Sequence, residues 1–160
     1  MKKVKIGIIG TGVGIRTHLK GFRTLDNAEV VAIAGSSPAR SKEFAEKFDI
    51  PVACADYKEL CNRDDIDIIC VTTPNRLHFD MVKYALKSGK HILCEKPLSD
   101  DSQEVKELIK TTKDYNGLTL VDHQLRFNPY IQKIKTLIGG GDSWKGLFNQ
   151  NQSARIRLCE

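Results

Sequence analysis

The chain has 160 residues, 41% hydrophobic and 28% charged, with a formal net charge of +5, which is the size and composition of one ordinary soluble domain. Its 25 basic residues are spread without a polybasic run or basic–aromatic interleaving, so neither nucleic acid nor an anionic membrane is expected as a partner. No stretch approaches the roughly 20 apolar residues that span a bilayer, and the five cysteines (Cys54, Cys61, Cys70, Cys94 and Cys159) are odd in number with no C-x-x-C pair. They fit reduced thiols in a cytoplasmic protein better than disulfides or a zinc site, and no metal is expected.

In chain order, MKKVKIGIIG sets two lysines before an apolar run too short for a signal-peptide core. Residues 4–9 read as a first strand, and further Val- and Ile-rich runs follow at 29–34, 66–72, 91–94 and 118–122, with a fainter one at 51–54. Near-continuous apolar runs of this length mark strands buried on both faces, as in a parallel sheet. Helical segments separate them. Ser37-Pro38 opens SPARSKEFAEKF, with Pro38 at the first helical position and Phe44, Ala45 and Phe48 as its apolar stripe. RLHFDMVKYALKSG closes on Gly89, a left-handed cap. SQEVKELIKTTKDYNG is expected to be capped by Ser99 or Asp100, to turn Val105, Leu108 and Ile109 inward, and to end at Gly117. The alternation predicts a doubly wound, mostly parallel α/β sheet, a Rossmann fold of about six strands with helices on both faces.

The stretch KIGIIGTGVGIRTHLKG runs from a strand through glycines into a helix. In the dinucleotide fingerprint one glycine makes the tight turn and a second admits the pyrophosphate to the helix N-terminus. Gly10 and Gly12 take those roles, and Thr11, Val13, Gly14 and Ile15 complete the expected cofactor contact. The third small residue should stand at position 15, yet Ile15 is there and Gly14 comes one residue early. Either the turn is a variant, or helix and strand sit further apart. After the second strand, an NAD site would place a carboxylate for the ribose 2′-hydroxyl. Here Ala34-Gly35-Ser36-Ser37-Pro38-Ala39-Arg40 has none. Ser36, Ser37 and Arg40 suit a 2′-phosphate, so NADP is favoured over NAD. The plainer alternative is that the serines cap a helix and Arg40 is solvated.

Two later stretches narrow the reading. VTTPNRLHFDMVKYALKSGKHILCEKPL and LVDHQLRFNP together resemble the signature of the Gfo/Idh/MocA oxidoreductase family. That signature is a strand, Thr-Pro-Asn-x-x-His, a helix, Gly-Lys-His, and a strand ending Glu-Lys-Pro, with a Gln or Asn before Arg-Phe at the sixth strand. The resemblance runs from Val4 to about Ile138. It implies an NAD(P)-dependent dehydrogenase that moves hydride between nicotinamide and a secondary alcohol of a sugar, inositol or similar polyol. It implies cofactor contacts at Thr73, Pro74, Asn75, His78 and Gln124, and a catalytic Lys96 beside the nicotinamide. There the ammonium can polarise or help deprotonate the reacting hydroxyl, a transfer eased by burial. Glu95 would position the ribose or the lysine. His18, in the first helix, and His123 are assigned no role.

The family's proteins are about twice this length. Their second domain supplies the substrate pocket and a catalytic Asp and His. The expected organisation is a cofactor domain at 1–138 and an irregular tail at 139–160. Read one nucleotide later, with suitable synonymous codons, residues 140–148 can spell a stretch resembling the family's entry into its second domain. The tail is therefore either an out-of-frame remnant of that entry or the end of a genuine short protein. As it stands, the chain is expected to be inactive, with self-association through an exposed apolar surface. A non-catalytic dinucleotide-binding module, sensor or partner subunit is the alternative.

Overall fold

The computed structural model describes residues 3–139. Six runs of mostly apolar residues become strands: β1 (Val4–Ile9), β2 (Ala28–Ala34), β3 (Val52–Cys54), β4 (Ile68–Val71), β5 (His91–Glu95) and β6 (Thr119–Asp122). They form one sheet in the order β3-β2-β1-β4-β5-β6, and every pairing is parallel. The chain builds outward from β1 to β3 and then resumes on the other side of β1 with β4. That reversal is the switch point at which open α/β sheets bind ligands, beyond the carboxyl ends of the strands.

Alternation along the central strands β1, β2 and β4 feeds two cores, which is why they read as continuous apolar runs. Ile6 and Ile8 of β1, Ile33 of β2 and Cys70 of β4 pack against Ile15 and Leu19 of α1 (Val13–Arg23) and Phe44 and Ala45 of α2 (Pro38–Lys47). Ile9, Ala32, Ala34, Ile69 and Val71 face the other way. They meet Leu60 of α3 (Tyr57–Cys61), Val82, Ala85 and Leu86 of α4 (His78–Leu86), and Leu108 of α5 (Ser102–Thr112). The fold is thus the expected doubly wound α/β sheet with helices on both faces. Among the described residues, no helix is long and apolar enough to cross a membrane.

Local signals account for several helix ends. Ser37 caps α2, its Oγ accepting the Arg40 N–H, with Pro38 at the start, and Gly89 follows α4 with φ at +71°. Two features differ from expectation. Helix α3 was not anticipated; Asp56 caps it by accepting the Glu59 N–H at 2.9 Å. Helix α5 starts at Ser102 as expected, but its cap is Asp101, rather than Ser99 or Asp100, and accepts the Gln103 N–H at 2.7 Å. Ser99 instead accepts the Asp101 N–H and so braces the preceding turn. The inward line of α5 runs through Val105, Leu108 and Thr112, which leaves Ile109 on its flank, 63% exposed. Gly117 lies beyond the helix rather than ending it.

The chain divides into two units, one up to Asp122 and one from His123. The second contains a 3₁₀ turn at Gln124–Phe127 and α6 (Pro129–Gly139). Asn128 starts α6, its Oδ1 accepting the Tyr130 N–H at 2.9 Å. Residues 140–160, and with them the expected tail and its out-of-frame reading, lie outside the described residues.

Candidate cofactor site

The loop after β1 is Gly10-Thr11-Gly12. Gly10 has φ at +120°, and a Cβ there would lie 2.7 Å from Thr72 Oγ1 and 2.8 Å from the Thr72 carbonyl oxygen, so only glycine fits. Thr72 secures the contact: its N–H and its hydroxyl both donate to Ile9 O, at 2.8 Å and 3.1 Å. The loops after β1 and β4 are thereby pinned together at the switch point. Gly12 caps α1 with no side-chain hydrogen bond, and the first turn holds no acidic residue. A Cβ on Gly12 would meet nothing within 4 Å. A helix start of this kind leaves N–H groups and a positive dipole end for an incoming anion, and fits a pyrophosphate.

Gly14 settles the irregular fingerprint. A Cβ there would fall 2.2 Å from Thr72 Cβ, so Gly14 is the residue that lets helix and strand close together. The turn is the variant; α1 does not sit further away. Ile15 accordingly differs from the contact expected of it. Its side chain is wholly buried in the core, with Ile6 and Ile8.

At the end of β2, Gly35 brings the chain against Thr11 and Arg40; a Cβ on Gly35 would lie 3.1 Å from Thr11 Cγ2 and 3.2 Å from Arg40 Cβ. Ser36 is exposed. Ser37 is the helix cap, which is the plainer of its two expected uses. Buried Ser41 accepts the Gly35 N–H at 2.8 Å and holds the turn. Arg40 stacks its guanidinium 4.2 Å from the Phe44 ring centroid and pairs with Glu43 at 2.8 Å. An exposed pair of this sort is weak and can be exchanged for a phosphate.

After β4 come Thr73, Pro74 and Asn75, the last two exposed and Thr73 half-buried. His78 departs from the expected direct contact. It is fully buried, with Nδ1 and Nε2 each 2.7 Å from a carbonyl oxygen, those of Pro97 and Thr73. It fastens the Thr-Pro-Asn loop to the Glu-Lys-Pro turn and offers no free nitrogen to a ligand.

Lys96 follows the carboxyl end of β5 and is exposed, so the burial expected of it is absent here. Its N–H donates to Glu95 Oε2 at 3.2 Å, and the Lys96–Pro97 peptide is cis. Glu95 Oε1 lies 3.0 Å from His18 Nε2, which also lies 3.4 Å from Asp122 Oδ2. Glu95 and Asp122 are register partners on β5 and β6. Ligand atoms of these three side chains lie within 4.8 Å of one another, a spacing that could also hold a cation. Sequence reasoning missed this cluster, although His18 lies on the inward stripe of α1 with Gly14, Ile15, Leu19 and Phe22. Gln124 is exposed and belongs to the second unit.

The model of the family described as an oxidoreductase family with an NAD-binding Rossmann fold matches residues 4–123. This chain belongs to the Gfo/Idh/MocA family. A trans-1,2-dihydrobenzene-1,2-diol dehydrogenase of Xenopus tropicalis is 39% identical over 136 residues, covering 84% of this chain and 41% of its own. A D-xylose 1-dehydrogenase (NADP(+)) of Haloferax volcanii is 33% identical, covering 82% of this chain and 41% of its own. Among solved structures, biliverdin reductase from Synechocystis, in complex with biliverdin and NADP+, superimposes with a TM-score of 0.75 at 29% identity, covering 85% of this chain and 43% of its own. The chain spans about two fifths of the length of the curated relatives it matches. In Gfo/Idh/MocA terms it corresponds to the NAD-binding Rossmann part, and it carries the glycine loop, Thr-Pro-Asn loop and Glu-Lys-Pro turn at the same sheet edge.

Proposed function

We propose that this chain is the cofactor-binding part of an NADP-preferring dehydrogenase acting on a secondary alcohol of a sugar, inositol or similar polyol. The observation that carries the reading is convergence. Gly10–Gly12, Thr73–Asn75 and Glu95–Lys96 lie at or just beyond the carboxyl ends of parallel strands β1, β4 and β5. The dinucleotide would lie across that edge, its pyrophosphate on the start of α1, its adenosine ribose beside Ser36, Ser37 and Arg40, and its nicotinamide towards Lys96. When bound, the nicotinamide gives or takes the hydride. Lys96 would polarise the reacting hydroxyl and help its proton leave, Glu95 holds the lysine's backbone, and His78 fixes the two loops between which the ring would sit. Names of relatives that specify a diol and an NADP-linked sugar oxidation support the substrate class and the cofactor preference. The chain alone should bind dinucleotide without turning over a polyol, because Lys96 cannot by itself orient a substrate. It then behaves as the binding module that was the alternative reading.

The test pairs a titration with a turnover assay against a polyol panel. NADPH should bind about tenfold more tightly than NADH, the scale of a solvated Arg–phosphate contact worth ~1–2 kcal/mol. Arg40→Ala should erase most of that difference. Glu43→Gln should widen it, since Glu43 competes for the guanidinium. Equal affinities, or tighter NADH, would sink the NADP reading, and turnover by the purified chain would sink the assignment of substrate handling to residues beyond it.

A further inference from the structure

Glu95, which holds the Lys96 backbone, also forms a cluster with His18 and Asp122, two residues that the proposed chemistry does not use. The side chains of His18, Glu95 and Asp122 are only 10%, 20% and 17% exposed, so their contacts are largely shielded from water and stronger for it. Carboxylates accept and do not donate when ionised, so Nε2 of His18 carries the hydrogen that faces Glu95. The two carboxylates stand on adjacent strands as register partners, where like charges repel, and His18 supplies the donor between them. Glu95 is held at both oxygens: Oε1 by His18 at 3.0 Å and Oε2 by the Lys96 N–H at 3.2 Å. His18 in turn rides on α1, the helix whose first turn begins the glycine loop's anion seat.

We infer that His18 is a positioning residue, which acts through Glu95 to hold the turn bearing Lys96 against the helix that seats the dinucleotide. The pyrophosphate end of the cofactor and the lysine at its nicotinamide end are then tied through one hydrogen-bonded chain, from α1 through His18 and Glu95 to the Lys96 backbone. This rests on the dinucleotide reading above. Glutamine should replace His18 with little loss, because its Nε2 amide places an N–H near the position of the imidazole Nε2. Leucine should not.

The experiment has two readouts. In the free chain, exchange of the Lys96 amide hydrogen should quicken several-fold in His18→Leu and stay within about twofold in His18→Gln. In NADPH titrations, His18→Leu should weaken binding about tenfold and His18→Gln no more than about threefold. If His18 acts through Glu95, the double variant His18→Leu/Glu95→Gln should bind no more weakly than Glu95→Gln alone, whereas independent residues would multiply their losses. Should His18→Leu fail to fold, His18→Asn replaces it, its amide being too short to reach Glu95. Multiplicative losses, or failure of glutamine to rescue a folded chain, would overturn the proposal. So would stoichiometric Mn2+ binding lost in Asp122→Asn, which would make the cluster a cation site. A wild-type chain that binds neither NADPH nor NADH would remove the dinucleotide reading itself, while the Lys96 amide still reports whether His18 holds the turn.

Discussion

Cys54, Cys61, Cys70 and Cys94 are free and buried, each with 0–1% of its surface exposed. Burial raises all four thiols from an ordinary value of 9.0, Cys54 to about 11 and Cys61 and Cys94 to about 12, while Cys70 rises further still. The thiolate is the nucleophile and metal ligand, so these cysteines are packing residues and not reactive ones. The sign of the pH effect follows from linkage. Below pH 9 the thiols are protonated in both folded and unfolded chains, and their favourable burial is fully present. Above it the unfolded chain loses protons first, so stability falls as pH rises towards about 11 to 12. Urea midpoints measured from pH 8 to pH 11 should therefore decline, and Cys61→Ala should show a shallower decline although it starts lower. An unchanged slope in Cys61→Ala would mean that its thiol does not carry the effect.

Two glycines on one helix separate packing from propensity. A Cβ on Gly14 would stand 2.2 Å from Thr72 Cβ, an atom fixed to the backbone just after β4, whereas one on Gly21 meets nothing within 4 Å. Gly14→Ala should lower stability by about 2–3 kcal/mol, the scale of overpacking. Gly21→Ala should raise it by up to about 1 kcal/mol through helix propensity. Urea unfolding of both variants decides this, and similar effects would contradict the close contact between α1 and β4. The example also shows what the sequence could and could not reveal. The six strands were legible because each is a short, mostly apolar run, with the central ones feeding two cores, and the cap of α2 because Ser37-Pro38 is a local signal. The role of Gly14 was not, since its reason is Thr72, distant along the chain. The cap of α5 was ambiguous because Ser99, Asp100 and Asp101 can all cap, and only backbone direction selects Asp101. His78 was misjudged for a tertiary reason as well: its partners Thr73 and Pro97 belong to two different loops. The cluster of His18, Glu95 and Asp122 draws one residue from each of three elements, and no spacing in the sequence announces it.

At the scale of the whole molecule, the β6 edge of the sheet carries exposed apolar residues. Leu118 and Leu120 at β6 are 68% and 61% exposed, and Ile109 of α5 is 63% exposed. Apolar surface of this kind invites association, in keeping with relatives in which this region is about two fifths of the chain. Lys96 is exposed on the carboxyl edge of the same sheet. The account therefore stands or falls on where a dinucleotide sits on this sheet. Amide chemical-shift mapping of the isotope-labelled chain during NADPH titration tests this most directly. The account predicts saturable shifts concentrated at Gly10, Gly12, Thr73, Asn75, Glu95 and Lys96, beyond the carboxyl ends of β1, β4 and β5. Lys5, Asp67 and Lys90, at the opposite ends of the same strands, should stay still. Shifts centred on that opposite edge, or none that saturate, would contradict it.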